Sequence, residues 1–234
     1  MITPLGIQLQ DFATTSELLD VLADTVNAPR SLYIDSGILH RDLAIKNIVI
    51  ASDPGKGRNR CVLIDLDSAQ NVVGTPIADR FKGSDGFMAV EVLLGGRHTY
   101  HTDLQSLFYV FLWLIIGNER EYPHPNIILF NLSESSRLRK WVSKDYYAVA
   151  QAKIADMSIQ GFEIVLQEVS ADFCHLCGSA KELHNLVFRP NENGIATFVT
   201  DMSRAAVECL YREMSAALRR QSFLERRAER SLLS

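Results

Sequence analysis

The sequence predicts a mainly α-helical unit with one small β-hairpin set into it, and three observations carry this. Residues 104–116 are the most apolar stretch of the chain. The stretch includes Gln105 and Ser106 and falls short of the roughly 20 residues a membrane span needs, so it reads as a buried core helix. Leu18, Leu22, Val26 and Leu32 form an apolar pattern behind Thr14, Thr15 and Ser16. The β-branched runs at 48–51 and 61–64 flank Pro54, Gly55 and Gly57, which is a hairpin pattern.

In chain order, the hydroxyl residues before Glu17 predict a capped helix start, and Pro29 is expected to kink or split that helix. In the hairpin, Ala51 is expected opposite Cys61, which sets Ile48 against Ile64 and Asn47 against Asp65. Those last two would have Cβ atoms about 4.5–5.5 Å apart as cross-strand neighbours. Gly55-Lys56-Gly57 lacks the Walker spacing and is turn chemistry. Residues 65–91, with Gly74, Thr75, Pro76, Lys82 and Gly83, have a loop-like composition. Helices are expected near 135–158 and 197–230, and Arg219, Arg220, Arg226, Arg227 and Arg230 read as the solvated face of a charged helix.

Composition bounds the function. A chain of 234 residues at 47% hydrophobic content can bury a sizeable core. The net charge of −4, with no basic stretch before the extreme C-terminus, gives no footprint for nucleic acid. No membrane segment or secretory signal is expected, and an intracellular compartment fits four cysteines that form no disulfide framework. Cys174 and Cys177 form a lone Cys-x-x-Cys that His184 would have to join to make a zinc site; the other reading is an ordinary cysteine pair.

The chemistry concentrates where the hairpin begins. An amide oxygen from Asn47 and a carboxylate from Asp65 converge at one end of it in the expected register, and Asp42 lies on the turn leading in. Hard oxygen donors of this kind suit Mg²⁺, which favours one or two carboxylates plus substrate phosphates over a full protein cage. The competing reading is a polar hairpin end with unrelated carboxylates.

His40-Arg41-Asp42-Leu43-Ala44-Ile45-Lys46-Asn47 resembles the protein-kinase catalytic loop at every fixed position. The resemblance implies that Asp42 accepts the substrate hydroxyl proton, Asn47 holds a second Mg²⁺, and Asp65 takes the magnesium role of the Asp-Phe-Gly aspartate. Residues 83–91 resemble the kinase Gly-Thr-x-x-Tyr-x-Ala-Pro-Glu segment, with Ser84 in the threonine position, Val90 in place of proline, and Glu91 closing it. Asp103, opening a very apolar helix, resembles the kinase helix aspartate that anchors the catalytic-loop backbone. In detail the chain is similar to the fungal-type protein kinase family from about residue 5 to about 160, including Ser31-Leu32-Tyr33, Leu138-Arg139-Lys140-Trp141 and Lys153. The fold implied is a helical protein-kinase-like C-lobe of the α+β kinase superfamily. Residues 1–160 would carry the catalytic loop, magnesium loop and activation segment, and 161–234 would complete or flank the lobe.

The kinase glycine-rich loop and the lysine paired to a helix glutamate find no match, and Thr3-Pro4-Leu5-Gly6 resembles sequence just past the interlobe hinge. The chain thus resembles a C-lobe without its N-lobe, beginning where the adenine site ends. Three readings follow. In the first, Mg²⁺ and ATP serve phosphoryl transfer to Ser/Thr of a protein substrate. Ser84 supports it, Ala44 stands where Ser/Thr kinases usually place lysine, and Lys46 substitutes as the phosphate contact. In the second, the chain is a non-catalytic interaction module whose exposed apolar shelf recruits a covering partner. In the third, Asp67, two residues after Asp65, adds a metal contact as in choline or aminoglycoside phosphotransferases. Arg41 is either a partner for a phosphate on Thr75 or bonded to a backbone carbonyl or carboxylate.

Overall fold

The computed structural model describes residues 6–52, 59–71, 81–117, 132–189, 191–194 and 200–232. Thr3, Pro4, Leu5, Pro54, Gly55, Lys56, Gly57, Gly74, Thr75, Pro76 and Thr197 lie outside them. The fold is mostly helical with few strands.

β1 (Gly6–Gln8) leads into α1 (Thr15–Ser36). Thr14 caps α1 by accepting the Glu17 N–H at 3.1 Å, and the Glu17 carboxylate accepts the Ala13 N–H at 2.7 Å. Gly37 ends the helix at φ 65°, donating to the Tyr33 carbonyl at 2.9 Å, the left-handed cap glycine adopts without strain. Of the two outcomes expected at Pro29, a kink or a split, the split does not occur: the helix is continuous from Thr15 to Ser36. Its buried face, with Leu18, Leu19, Leu22 and Val26 in the core, offsets the roughly 3 kcal/mol of an interior proline.

β2 (Ile38–Leu39) pairs antiparallel with β5 (Gln70–Asn71), while β3 (Ile48–Ala51) lies between β1 and β4 (Cys61–Leu63). The hairpin exists, but its register differs by one residue from the expected one. Ile48 faces Leu63, Val49 faces Val62 and Ile50 faces Cys61. The Ile64 N–H donates to the Asn47 carbonyl at 3.0 Å, so Asn47 lies opposite Ile64, and Asp65 turns away at φ 62°. A left-handed residue cannot extend the ladder, which fixes where pairing stops. β1 closes so tightly on β3 that a Cβ on Gly6 would sit 1.9 Å from the Ile50 carbonyl oxygen.

The remaining described α-helices are α2 (Val90–Leu93), α3 (Tyr100–Ile116), α4 (Tyr146–Asp156), α5 (Ile159–Leu166), α6 (Cys177–Phe188) and α7 (Arg204–Leu232). α3 begins at a reciprocal cap, with Thr99 N–H to Thr102 Oγ1 at 3.0 Å, and is buried along its length except at Ser106. It is the centre of a hydrophobic core that runs in sequence from Leu9 to Leu218. Among the described residues no helix is long and apolar enough to cross a membrane.

The arginine-rich end of α7 is more than a solvated face. α7 packs along α1 and α6. Arg226 Nη2 lies 2.7 Å from Asp20 Oδ1, and Arg219 pairs with both Asp20 and Asp24. Ser222 Oγ donates to Asp20 at 2.7 Å and Ser16 Oγ to Glu229 at 2.8 Å. Two arginines are drawn inward because Asp20 and Asp24 are buried carboxylates that require partners.

Candidate active site

The 40–47 loop is pinned from below by Asp103, in the first turn of α3. Its Oδ2 accepts the His40 N–H and its Oδ1 the Arg41 N–H, each at 3.0 Å. Arg41 is thereby held at φ 69°, a strained conformation for a non-glycine residue. Burial pushes the Asp103 carboxyl up to about 7, against the two amide donors, which favour its ionised form. His40 Nδ1 faces the Asp42 N–H at 3.4 Å and Nε2 faces the Ile64 carbonyl at 3.3 Å. These partners place the ring proton on Nε2. Burial lowers the affinity of His40 for a second proton, although the Asp42 and Asp65 carboxylates oppose that. His40 therefore ties the loop to the residue before Asp65.

Asp42 is the point of convergence. Its Oδ1 accepts from Ser84 Oγ at 2.7 Å, and its Oδ2 accepts from Asn47 Nδ2 at 3.2 Å and lies 3.6 Å from Lys46 Nζ. The 3₁₀ turn Ile45–Asn47 brings Lys46 and Asn47 back over Asp42. Asn47 Nδ2 also donates to the Asp42 carbonyl at 2.8 Å, so the loop is held through Nδ2 and the amide oxygen is left for an outside cation or donor. Lys46 is exposed, with 59% of its side chain accessible, and can reach a bound anion. Asp65 and Asp67 are both exposed, Asp65 at the start of the 3₁₀ turn Leu66–Ser68. Among the described residues no group of three His, Cys, Asp or Glu forms a metal site. An amide oxygen and exposed carboxylates are donors of the type that suits a cation bringing its own phosphate and water ligands.

The 83–91 segment is held at both ends. Glu91 accepts from Gln105 Nε2 at 2.6 Å and lies 3.3 Å from His101 Nδ1, while Gln105 Oε1 accepts the Val90 N–H at 3.2 Å. Asp85 pairs with exposed Lys144 at 2.7 Å. Between them, Lys153 Nζ donates to the carbonyls of Gly86 at 2.8 Å and Met88 at 2.7 Å.

Residues 1–115 match the family described as Fungal protein kinase. Over these residues, just under half of the chain, it resembles that family. It is similar to the serine/threonine-protein kinase/endoribonuclease ire-1 of Caenorhabditis elegans, 28% identical over 114 residues that make up 46% of this chain and 12% of that protein. It is also similar to the probable serine/threonine-protein kinase irlC of Dictyostelium discoideum, 29% identical over 110 residues, 46% of this chain and 7% of that protein. The chain spans only a small part of either relative.

In this kinase-like arrangement, Asp42, Lys46, Asn47 and Ser84 come together, with His40, Arg41 and Asp103 supporting them. Asp65 is linked to the group through His40, and Glu91 lies apart on α2, held by Gln105 and His101 of α3. The Arg41 guanidinium bonds the side-chain oxygen of Gln70, an amide acceptor. Thr75, its suggested phosphate partner, lies outside the described residues. His184 does not join Cys174 and Cys177. It stacks on Phe162 with centroids 4.1 Å apart and bonds the Met157 carbonyl through Nε2 at 2.8 Å, and all four cysteines are free. In the sequence Lys153 stands out only as a family likeness. Its signal was spacing: it shares a helical stripe with Val149 and Ala150, all buried, where a lone cation is out of place.

Proposed function

We propose that this protein kinase-like domain transfers a phosphoryl group from Mg²⁺-ATP to a serine or threonine hydroxyl of a protein. The observation that carries this reading is the 2.7 Å hydrogen bond from Ser84 Oγ to Asp42 Oδ1, with Lys46 and Asn47 on the other oxygen of the same carboxylate. It puts a short hydroxyl where a substrate hydroxyl would be received. Asp42 accepts the substrate proton as the attacking oxygen approaches phosphorus. Lys46 offsets negative charge on the phosphoryl oxygens, in a position that no second lysine at Ala44 occupies. Asn47 Oδ1 and the Asp65 carboxylate would hold magnesium, with Asp67 adjacent, and magnesium held there would supply neutralisation of phosphate charge. His40, Arg41 and Asp103 fix the loop, and Glu91 fixes the far end of the substrate-facing segment.

The test is phosphate transfer from labelled ATP to serine, threonine and tyrosine peptides, choline and aminoglycosides, alongside calorimetry with Mg²⁺-ATP. Transfer to serine or threonine peptides is expected, with Asp42→Asn lowering the rate about 10²–10⁴-fold, the worth of a positioned base. An unchanged rate in Asp42→Asn removes that assignment. Preference for choline or an aminoglycoside would favour the small-molecule reading that Asp67 suggests. Neither binding nor transfer would leave the domain an interaction module.

A further inference from the structure

Lys153 is a buried cation that the proposed chemistry does not use. It lies on α4 with no accessible surface, and its Nζ sits 3.8 Å from the Tyr109 ring centroid and 5.0 Å from that of Trp141. Asp156, one turn along the same helix, is occupied by Trp141 Nε1 at 2.8 Å and Arg137 Nε at 2.6 Å. Lys153 therefore spends its hydrogen bonds on the main chain of the 83–91 segment, at Gly86 and Met88. The Gly86 carbonyl belongs to a tight turn, and the Met88 carbonyl follows directly after it. The Phe87 N–H donates to the Ser84 carbonyl at 3.1 Å, and Gly86 adopts φ 86° with its Cα so close to Trp113 that a Cβ there would meet the ring at 3.1 Å. Ser84, at the other end of the turn, reaches Asp42.

We infer that Lys153 is a positioning residue: by clamping the Gly86 and Met88 carbonyls it sets the turn that delivers the Ser84 hydroxyl to Asp42. The clamp acts where segment 83–91 has no regular structure of its own before α2, so its shape depends on what grips it from outside. Two carbonyls converging on one amine define the turn more narrowly than apolar packing would. Burial drives the Lys153 pKa well below its ordinary value, while the carbonyls and ring faces are what a buried amine has for compensation. A methionine of similar length would fill the space against Tyr109 and Trp141 without gripping the carbonyls. Replacing a buried charge by an apolar isostere is often neutral or stabilising for the whole fold, so global stability and local order separate.

The experiment compares the full chain with Lys153→Met and Lys153→Gln by amide hydrogen exchange, each corrected for its own global unfolding free energy from urea titration. In Lys153→Met the described amides of 84–88 are expected to exchange about 10-fold faster than in the parent, the loss of a net hydrogen bond or two, while amides of α3 keep their corrected rates. Lys153→Gln, which retains a donor, should recover part of the protection, and it carries the comparison if the methionine variant does not fold. Unchanged exchange at 84–88, acceleration spread evenly over the chain, or no recovery with glutamine would each overturn the inference. A kinetic arm rests on the proposed kinase reading. There Lys153→Met and Ser84→Ala should lower kcat with KM for peptide unchanged, and the double variant should be no slower than Ser84→Ala. A parent chain that transfers no phosphate defeats the kinase reading alone, because the exchange comparison still decides the role of Lys153.

Discussion

Asp103 holds two consecutive amides with its two oxygens, and this makes it a reporter as well as an anchor. Burial lifts its carboxyl to about 7, whereas in an unfolded chain it titrates near 4. The folded protein therefore binds the proton more tightly than the unfolded one through the interval between them. Stability from this group is fully present below about 4 and is lost as pH rises through about 7. The parent chain should lose up to roughly 4 kcal/mol from this source over that window relative to Asp103→Asn, whose side chain does not titrate. Urea midpoints for both proteins between pH 4.5 and 7.5 measure it, and parallel pH profiles would mean that the two N–H donors keep Asp103 ionised throughout. Asp103→Asn also presents an NH₂ to one of the loop amides, so at its own best pH it should still be less stable, by about 1–3 kcal/mol, than the protonated parent. The residues of this loop were legible in the sequence because each carries polar chemistry at fixed spacing. Lys153 was less legible, since its partners are backbone carbonyls that no residue type announces.

At the scale of elements, locally encoded features were readable and paired ones were not. The Thr14 cap lies within a few residues of its partners, and the strands of the hairpin declare themselves by β-branched runs. The register does not, because a slip of one residue preserves the apolar run while exchanging faces. It is decided by the left-handed Asp65 and by β1, which arrives on β3 from far upstream. The α1–α7 seam is also nonlocal: Asp20 and Asp24 face Arg219 and Arg226 between 195 and 206 positions away. Asp24 also accepts the Arg60 N–H at 2.7 Å, so the seam reaches the β4 end of the hairpin. Replacing Arg219 or Arg226 by alanine leaves a carboxylate that is 4–5% exposed short of a donor. The arginines are partly exposed, so about 1–2 kcal/mol is the expected loss in urea titration, after discounting for solvent screening. The double variant should depart from additivity because both arginines meet Asp20. Arg220→Ala, whose pair with Glu182 is exposed, should change stability by less than about 0.5 kcal/mol.

For the whole molecule, the question is whether residues 161–234 fold as one unit with the rest or only flank it. Val207, Leu210, Tyr211, Met214 and Leu218 of α7 belong to the same hydrophobic core as Leu18, Leu22 and Val26 of α1 and as α3. At about 1.5–3 kcal/mol for each large apolar side chain removed from water, undocking α7 forgoes an amount comparable with the 5–15 kcal/mol that separates folded from unfolded domains of this size. α7 should therefore not detach while the rest stays folded. In native-state hydrogen exchange, amides at Leu210 and Met214 should open with the same free energy as those at Leu107 and Phe111 in α3, and that value should match global unfolding by urea. Trp113 and Trp141 fluorescence should report the same midpoint as far-ultraviolet circular dichroism. If α7 instead opens several kcal/mol below α3, it is a flanking helix and the seam through Asp20 and Asp24 is a detachable latch. If the two coincide, changes at the α7 surface act on the 40–47 loop only through the stability of the whole domain.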